Sequence, residues 1–160
     1  MNQHFSRAQA LSVIVLRLFI GWHFLYEGVV KAYNPTWTAK GYLAGSESFL
    51  SGFYQWLASD ALVGYVDKVN ILMLIGVGLG LLLQVWQRGF ALMGIALLAL
   101  YYLAYPAIPG IATGPTEGNY WLVNKNLIEL AGLWVLYAFA HIGYDDLVRS
   151  FKKSTKKETA

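Results

Sequence analysis

Apolar residues dominate four stretches of this chain, at about residues 10–32, 69–86, 90–105 and 121–141, and polar or proline-containing segments separate them. Each stretch is about 16–23 residues, the length of a helix that crosses a hydrocarbon core of about 30 Å with some tilt. The first stretch is interrupted by Arg17, His23, Glu27 and Lys31. On a helix advancing about 100° per residue, Arg17, Gly21, Phe24, Gly28 and Lys31 share one narrow face. His23, Glu27 and Lys31 follow one another at i,i+4 and form a contiguous polar ladder.

The segment from Tyr33 to Val66 has another character. Asn34-Pro35 stops the first helix, because proline lacks an N–H and disfavours helix before it. Seven aromatic residues follow (Trp37, Tyr42, Phe49, Phe53, Tyr54, Trp56 and Tyr65), with helical spacing from Ser48 to Leu57. This predicts an amphipathic cap at the membrane interface, where Trp and Tyr favour headgroup depth. In the second stretch Gly76 and Gly80 form a GxxxG, a pattern of close helix packing. Gln87-Arg88-Gly89 is expected to be a tight turn. Pro106, Pro109, Gly110, Gly114 and Pro115 mark a loop to about Gly118. Asp145, Asp146 and a basic tail at 147–160 close the chain.

Composition agrees with this pattern. Of the 160 residues, 57% are hydrophobic and 13% charged, against about 25% charged in soluble domains. The expected architecture is all-α: one integral membrane domain over 1–160, a four-helix bundle with an extracytoplasmic aromatic cap between helices one and two. Arg17, Glu27 and Lys31 within the first stretch argue for an uncleaved helix over a signal peptide. Lysine and arginine favour both termini on the cytoplasmic side, with Arg7, Arg88, Arg149 and the tail lysines inside. A bacterial plasma membrane suits this design.

Charge and cysteine content narrow the chemistry. The absence of cysteine excludes a dithiol relay, a thiolate nucleophile and a Cys-ligated iron–sulfur cluster within the chain. His4, His23 and His141 lie too far apart in depth for a metal site, and no basic-aromatic interleaving suggests nucleic acid. An ionisable group at mid-bilayer costs about 2.5–3.5 kcal/mol on insertion scales, so such groups mark partners or function. Depth counted at about 1.5 Å per residue brings His23, Glu27 and Lys31 to the level of Asn70 and of Asn124, Lys125, Asn126 and Glu129. They form one polar layer beneath the cap, with Arg17 alone in the inner half. Local i,i+4 neutralisation of Glu27–Lys31 and Lys125–Glu129 is the structural alternative.

The pattern Arg17-x3-Gly21-x2-Phe24-x3-Gly28-x2-Lys31 resembles helix one of the DoxX family of small four-helix bacterial membrane proteins. The glycine-rich second helix closed by Arg88, then Lys125-Asn126-Leu127, and Gly143, Tyr144 and Asp146 at the end extend the likeness. Asn70 stands where many members carry glutamate, which weakens a proton-handling role there. The family includes DoxD, the membrane subunit of thiosulfate:quinone oxidoreductase, which works with a separate partner subunit. The resemblance implies a redox-complex subunit that binds a quinone, with electrons from an extracytoplasmic donor such as thiosulfate or a partner protein. In that reading Glu27, Glu129 and His23 handle protons, and Arg17, Lys31, Asn70, Lys125 and Asn126 hold the cofactor. A partner subunit or homo-oligomer in the lipid membrane is expected. The alternative is a non-enzymatic scaffold or docking module; a transporter is disfavoured because no inverted repeat is evident.

Overall fold

The computed structural model describes residues 6–115 and 117–149. The first five residues and the part of the basic tail from 150 to 160 lie outside the described residues. The described residues form six main helices: α1 (Arg7–Tyr33), α2 (Lys40–Ala44), α3 (Ser51–Leu57), α4 (Val63–Leu82), α5 (Gln87–Ala104) and α6 (Lys125–Ala138). A further helical turn covers 144–149. α1 packs on α4, α4 on α5, α5 on α6, and α6 returns to α1, with the α1–α4 seam the most extensive.

α1, α4 and α5 are long and apolar enough to cross a membrane. The fourth expected span is shorter than its hydropathy suggested. α6 has 14 residues, about 21 Å of helix, because Trp121 and Leu122 adopt left-handed φ of 56° and 64° and the chain stays irregular until Asn124. There the Asn124 side chain accepts the Leu127 N–H at 3.1 Å and starts the helix. α4 begins six residues earlier than expected, at Val63. The turn expected at Gln87-Arg88-Gly89 lies upstream: Gln84 and Trp86 take positive φ, and Gln87 already begins α5.

Close approach in lipid depends on contact between backbones, since lipid tails are as apolar as the side chains they would replace. At the α1–α4 seam a Cβ on Gly78 would stand 2.5 Å from the backbone nitrogen of Leu25, and one on Gly28 would meet Leu74 and Ile75. The GxxxG pair faces elsewhere. Gly76 and Gly80 lie towards Phe90 of α5, so the residue that brings α1 against α4 is Gly78. Phe24, Val77, Leu81, Leu133 and Leu136 fill the centre of the ring.

The cap is fixed to one end of the bundle. Leu43, Tyr54 and Ala58 pack on Ala104 and Tyr105. The hydroxyl of Tyr54 donates to the Leu100 carbonyl at 2.7 Å, and that of Ser46 to the Ala104 carbonyl at 2.8 Å. Asp67 of α4 accepts the Ala39 N–H at 2.8 Å, which ties the start of α2 to the same end. The hydrophobic face expected from Ser48 to Leu57 splits: Tyr54 turns inward, while Phe49, Phe53 and Trp56 remain exposed.

Candidate functional site

Beneath the cap lies a cavity of about 350 Å³. α1 supplies His23, Glu27 and Lys31, one residue per turn, and α4 supplies Asn70. α6 enters with its first turn and adds Lys125, Asn126 and Glu129. The structure therefore brings together seven of the eight residues singled out from the sequence. The eighth, Arg17, does not line the cavity. It is fully buried one turn below Gly21, and Gly21 packs on Leu81 and Leu82 at the far end of α4. None of the three guanidinium nitrogens of Arg17 has a hydrogen-bond partner among the described residues.

Two pairs organise the polar wall. His23 Nδ1 lies 2.6 Å from Glu129 Oε1, joining α1 to α6, and His23 Nε2 lies 4.0 Å from Glu27 Oε1. The Lys31 ammonium donates to the Glu27 carboxylate and sits 5.6 Å from the centre of the Trp37 ring, a cation–π contact. Of the two i,i+4 pairs of the structural alternative, Glu27–Lys31 forms, while Glu129 bonds to His23 in place of Lys125. Opposite, the Tyr101 hydroxyl donates to Asn70 Oδ1. Phe24, Leu74 and Leu98 make an apolar floor.

Two further groups, Glu117 and Tyr42, line the roof, and of these Glu117 is not among the residues singled out from the sequence. Glu117 is buried although it lies in an irregular loop. Its carbonyl accepts the Lys125 N–H at 3.2 Å, and its carboxylate is within hydrogen-bonding reach of the Tyr42 hydroxyl. A signal was present: Glu117 is the single charged residue between Tyr105 and Asn124. The Tyr42 hydroxyl donates to the Tyr101 carbonyl at 3.2 Å, and the Tyr42 carbonyl accepts from the Tyr105 hydroxyl at 2.7 Å. Burial, then Glu117, pushes the Tyr42 phenol far above its ordinary value. Burial, then Glu117 and Glu47, also raises Tyr105.

This arrangement can move a proton. An imidazole between two carboxylates can accept a proton at one nitrogen and release one from the other. The cavity can also hold an amphipathic ring. Asn126 is 3% exposed, and its Nδ2 has no hydrogen-bond partner among the described residues, although such groups are almost always paired when buried. The polar wall of His23, Glu27, Lys31 and Lys125 over the apolar floor of Phe24, Leu74 and Leu98 fits a quinone head. No grouping of three His, Cys, Asp or Glu residues suited to a metal occurs among the described residues. In comparisons with protein families, curated proteins and solved structures, nothing matches this chain.

Proposed function

We propose that this protein is a membrane-embedded subunit of a redox assembly, binding a quinone in the cavity beneath the cap. The observation that carries the reading is the meeting of the His23–Glu129 and Glu27–Lys31 pairs with an apolar floor in one cavity of about 350 Å³. That size lies at the lower end of ordinary small-ligand sites, about 300–1,000 Å³. The DoxX-like pattern supports the same assignment, and lysine and arginine counting favours an extracytoplasmic cavity with both termini in the cytoplasm. α6 completes the crossing together with the irregular 121–124 segment before it.

A bound quinone supplies the redox chemistry, taking up two electrons and two protons. The electrons come from a donor outside this chain, thiosulfate or a partner protein, since the chain carries no cysteine for a cluster or dithiol. The work of this chain is to hold the ring and manage protons. Lys125 would donate to a ring oxygen, and Trp37 and Phe24 would enclose the ring. His23 holds a proton between Glu27 and Glu129, both of which reach it from neighbouring turns or helices. Lys31 orients Glu27.

The test is mass spectrometry of the protein extracted gently from its own membrane, followed by quinone reduction in the reconstituted assembly. Quinone recovered with the wild type, and turnover reduced in a folded Glu27→Gln variant, supports the assignment. Absence of quinone together with unchanged turnover overturns it. The exposed Phe49, Phe53 and Trp56 on the cap favour a second reading, a docking module. It predicts a partner that is lost from the purified material when these three residues become serine, with Glu27→Gln neutral.

A further inference from the structure

The cavity beneath the cap is closed on one side and open on the other. Towards α4 and α5 its wall is made by Leu74 and Leu98, each 4% exposed. Towards the space between α1 and α6 the lining residues reach the surface. There the His23 side chain is 44% exposed and that of Glu27 42%, and Lys125 is exposed as well. Farther from the cap the two helices touch: a Cβ on Gly132 of α6 would stand 2.7 Å from Ile20 Cδ1. One turn nearer the cap the His23–Glu129 bond bridges the seam. The mouth therefore lies on the cap side of that bond, between Glu27 of α1 and Lys125 of α6.

Depth and flanking residues say what passes through it. α1 is long and apolar enough to cross a membrane. His23 and Glu27 lie about 15 Å and about 9 Å along it from the cap end at Tyr33, so the mouth opens sideways at the depth of acyl chains. Ionisable groups at such depth are costly to leave against lipid and mark ligands or pathways. Apolar side chains flank the mouth on both helices. On α1, Tyr26 and Val30 stand beside the His23–Glu27 line, on the side away from Phe24, and are 56% and 48% exposed. On α6, Ile128 stands beside Lys125 and Glu129 and is 60% exposed. A polar-walled chamber with an apolar floor thus continues into an apolar track that faces the bilayer. The other way out is through the roof, where Thr38 and Pro115 line the cavity and are exposed.

We infer that the cavity takes a lipid-soluble ligand with a single apolar tail, whose head lies over the floor and whose tail leaves between α1 and α6 along Tyr26 and Ile128. This rests on the proposed function for the cavity being a ligand site, and does not require the head to be a quinone. Lipid tails are as apolar as the side chains of the track, so the track holds the tail by packing and not by the hydrophobic effect. The head supplies the affinity, and the track sets where the tail runs.

The chain has no cysteine, so a spin label on one introduced cysteine reports from one place. The full chain is labelled singly in Ile128→Cys, Tyr26→Cys, Leu72→Cys on the exposed face of α4, and Thr113→Cys in the roof loop, then placed in lipid nanodiscs. Three probes are added: decylubiquinone, ubiquinone-0 (the same head without a tail) and 4-decylphenol, a tailed ring that is not a quinone. Retention of each probe is measured against empty nanodiscs. Decylubiquinone is expected to remove the mobile component of the spectrum at 128 and 26 and leave 72 and 113 unchanged, and ubiquinone-0 to alter none of them. Decylubiquinone retained with 128 and 26 unchanged overturns the seam and leaves the quinone reading standing. So does a change at 113 in their place, an equal change at 72, or the same change with ubiquinone-0. Decylphenol that immobilises 128 and 26 while neither quinone is retained keeps the seam and overturns the quinone reading. If none of the three is retained, both fall.

Discussion

His23 on α1 and Glu129 on α6 stand 106 positions apart in sequence, yet their Nδ1 and Oε1 atoms are 2.6 Å apart. The bond closes the ring of four helices at its least extensively packed seam, since α1 meets α6 far less than it meets α4. Its ends differ in exposure: the Glu129 side chain is 13% exposed and that of His23 44%.

Breaking this bond loosens the seam. Glu129→Leu is expected to destabilise the protein by about 1–2 kcal/mol, the lower range for a charged hydrogen bond because His23 is partly solvated. A double-mutant cycle with His23→Leu measures the coupling. Additive effects of the two substitutions would show that the pair contributes nothing to closure.

The α1–α4 seam depends on Gly78 and not on its neighbour in the sequence motif. Gly78→Ala places a methyl group 2.5 Å from the Leu25 backbone, and overpacking of this kind costs about 1–3 kcal/mol. At Gly76 the nearest atom to a new Cβ is 3.6 Å away, on Phe90, so Gly76→Ala is tolerated. Thermal unfolding of the two variants in detergent separates them, and equal losses would contradict the packing described.

Arg17 is buried without a hydrogen-bond partner among the described residues. Replacing a poorly compensated buried charge by an apolar residue of similar size is often stabilising, by about 1–4 kcal/mol. Arg17→Met is therefore expected to raise the thermal midpoint and leave probe binding in the cavity unchanged. A fall in midpoint would mean that the guanidinium is compensated in the membrane.

The cap should release at alkaline pH. Tyr42, Tyr54 and Tyr105 all have phenols raised by burial. For an acid whose value is higher in the folded state, the stabilising contribution is complete below the unfolded value, about 10 for tyrosine. It declines as pH climbs above that value, because the unfolded phenol loses its proton first. Phenolate absorbance and proteolysis between residues 34 and 62, followed together, are expected to rise cooperatively above about pH 10. Gradual ionisation with the cap still protected would refute the anchoring.

At the edge of the cap, Lys40 binds Asp60, and this bond, followed by the lysine charge, lowers the aspartate carboxyl below its ordinary range. A lowered carboxyl stabilises above its unfolded value and loses that contribution as pH falls through the folded one. Asp60 is fully exposed, so Asp60→Asn is expected to leave the thermal midpoint at neutral pH unchanged. A clear drop would show that the bond is shielded from solvent.

The sequence by itself determined the helices and most of the cavity wall. Apolar runs interrupted by few charges leave helix as the structure that satisfies every backbone group in lipid. The i,i+4 ladder of His23, Glu27 and Lys31 had to share a face once α1 was continuous. The entry of Lys125, Asn126 and Glu129 at the same level followed from depth alone. Tertiary structure decided what periodicity carries no information about. Which glycine touches α1 depends on helix rotation: Gly78 lies against Leu25, while Gly80 of the GxxxG packs closely on Phe90 of α5. The partner of Glu129 is His23 and not Lys125, because packing of α6 against α1 brings a distant imidazole closer than the neighbouring ammonium. Left-handed backbone at Trp121 and Leu122 shortened α6 in an apolar stretch that hydropathy reads as helix. Glu117 joined the cavity because the loop folds back, with the Leu122 N–H bonded to the Ala107 carbonyl, a long-range closure that no local pattern encodes.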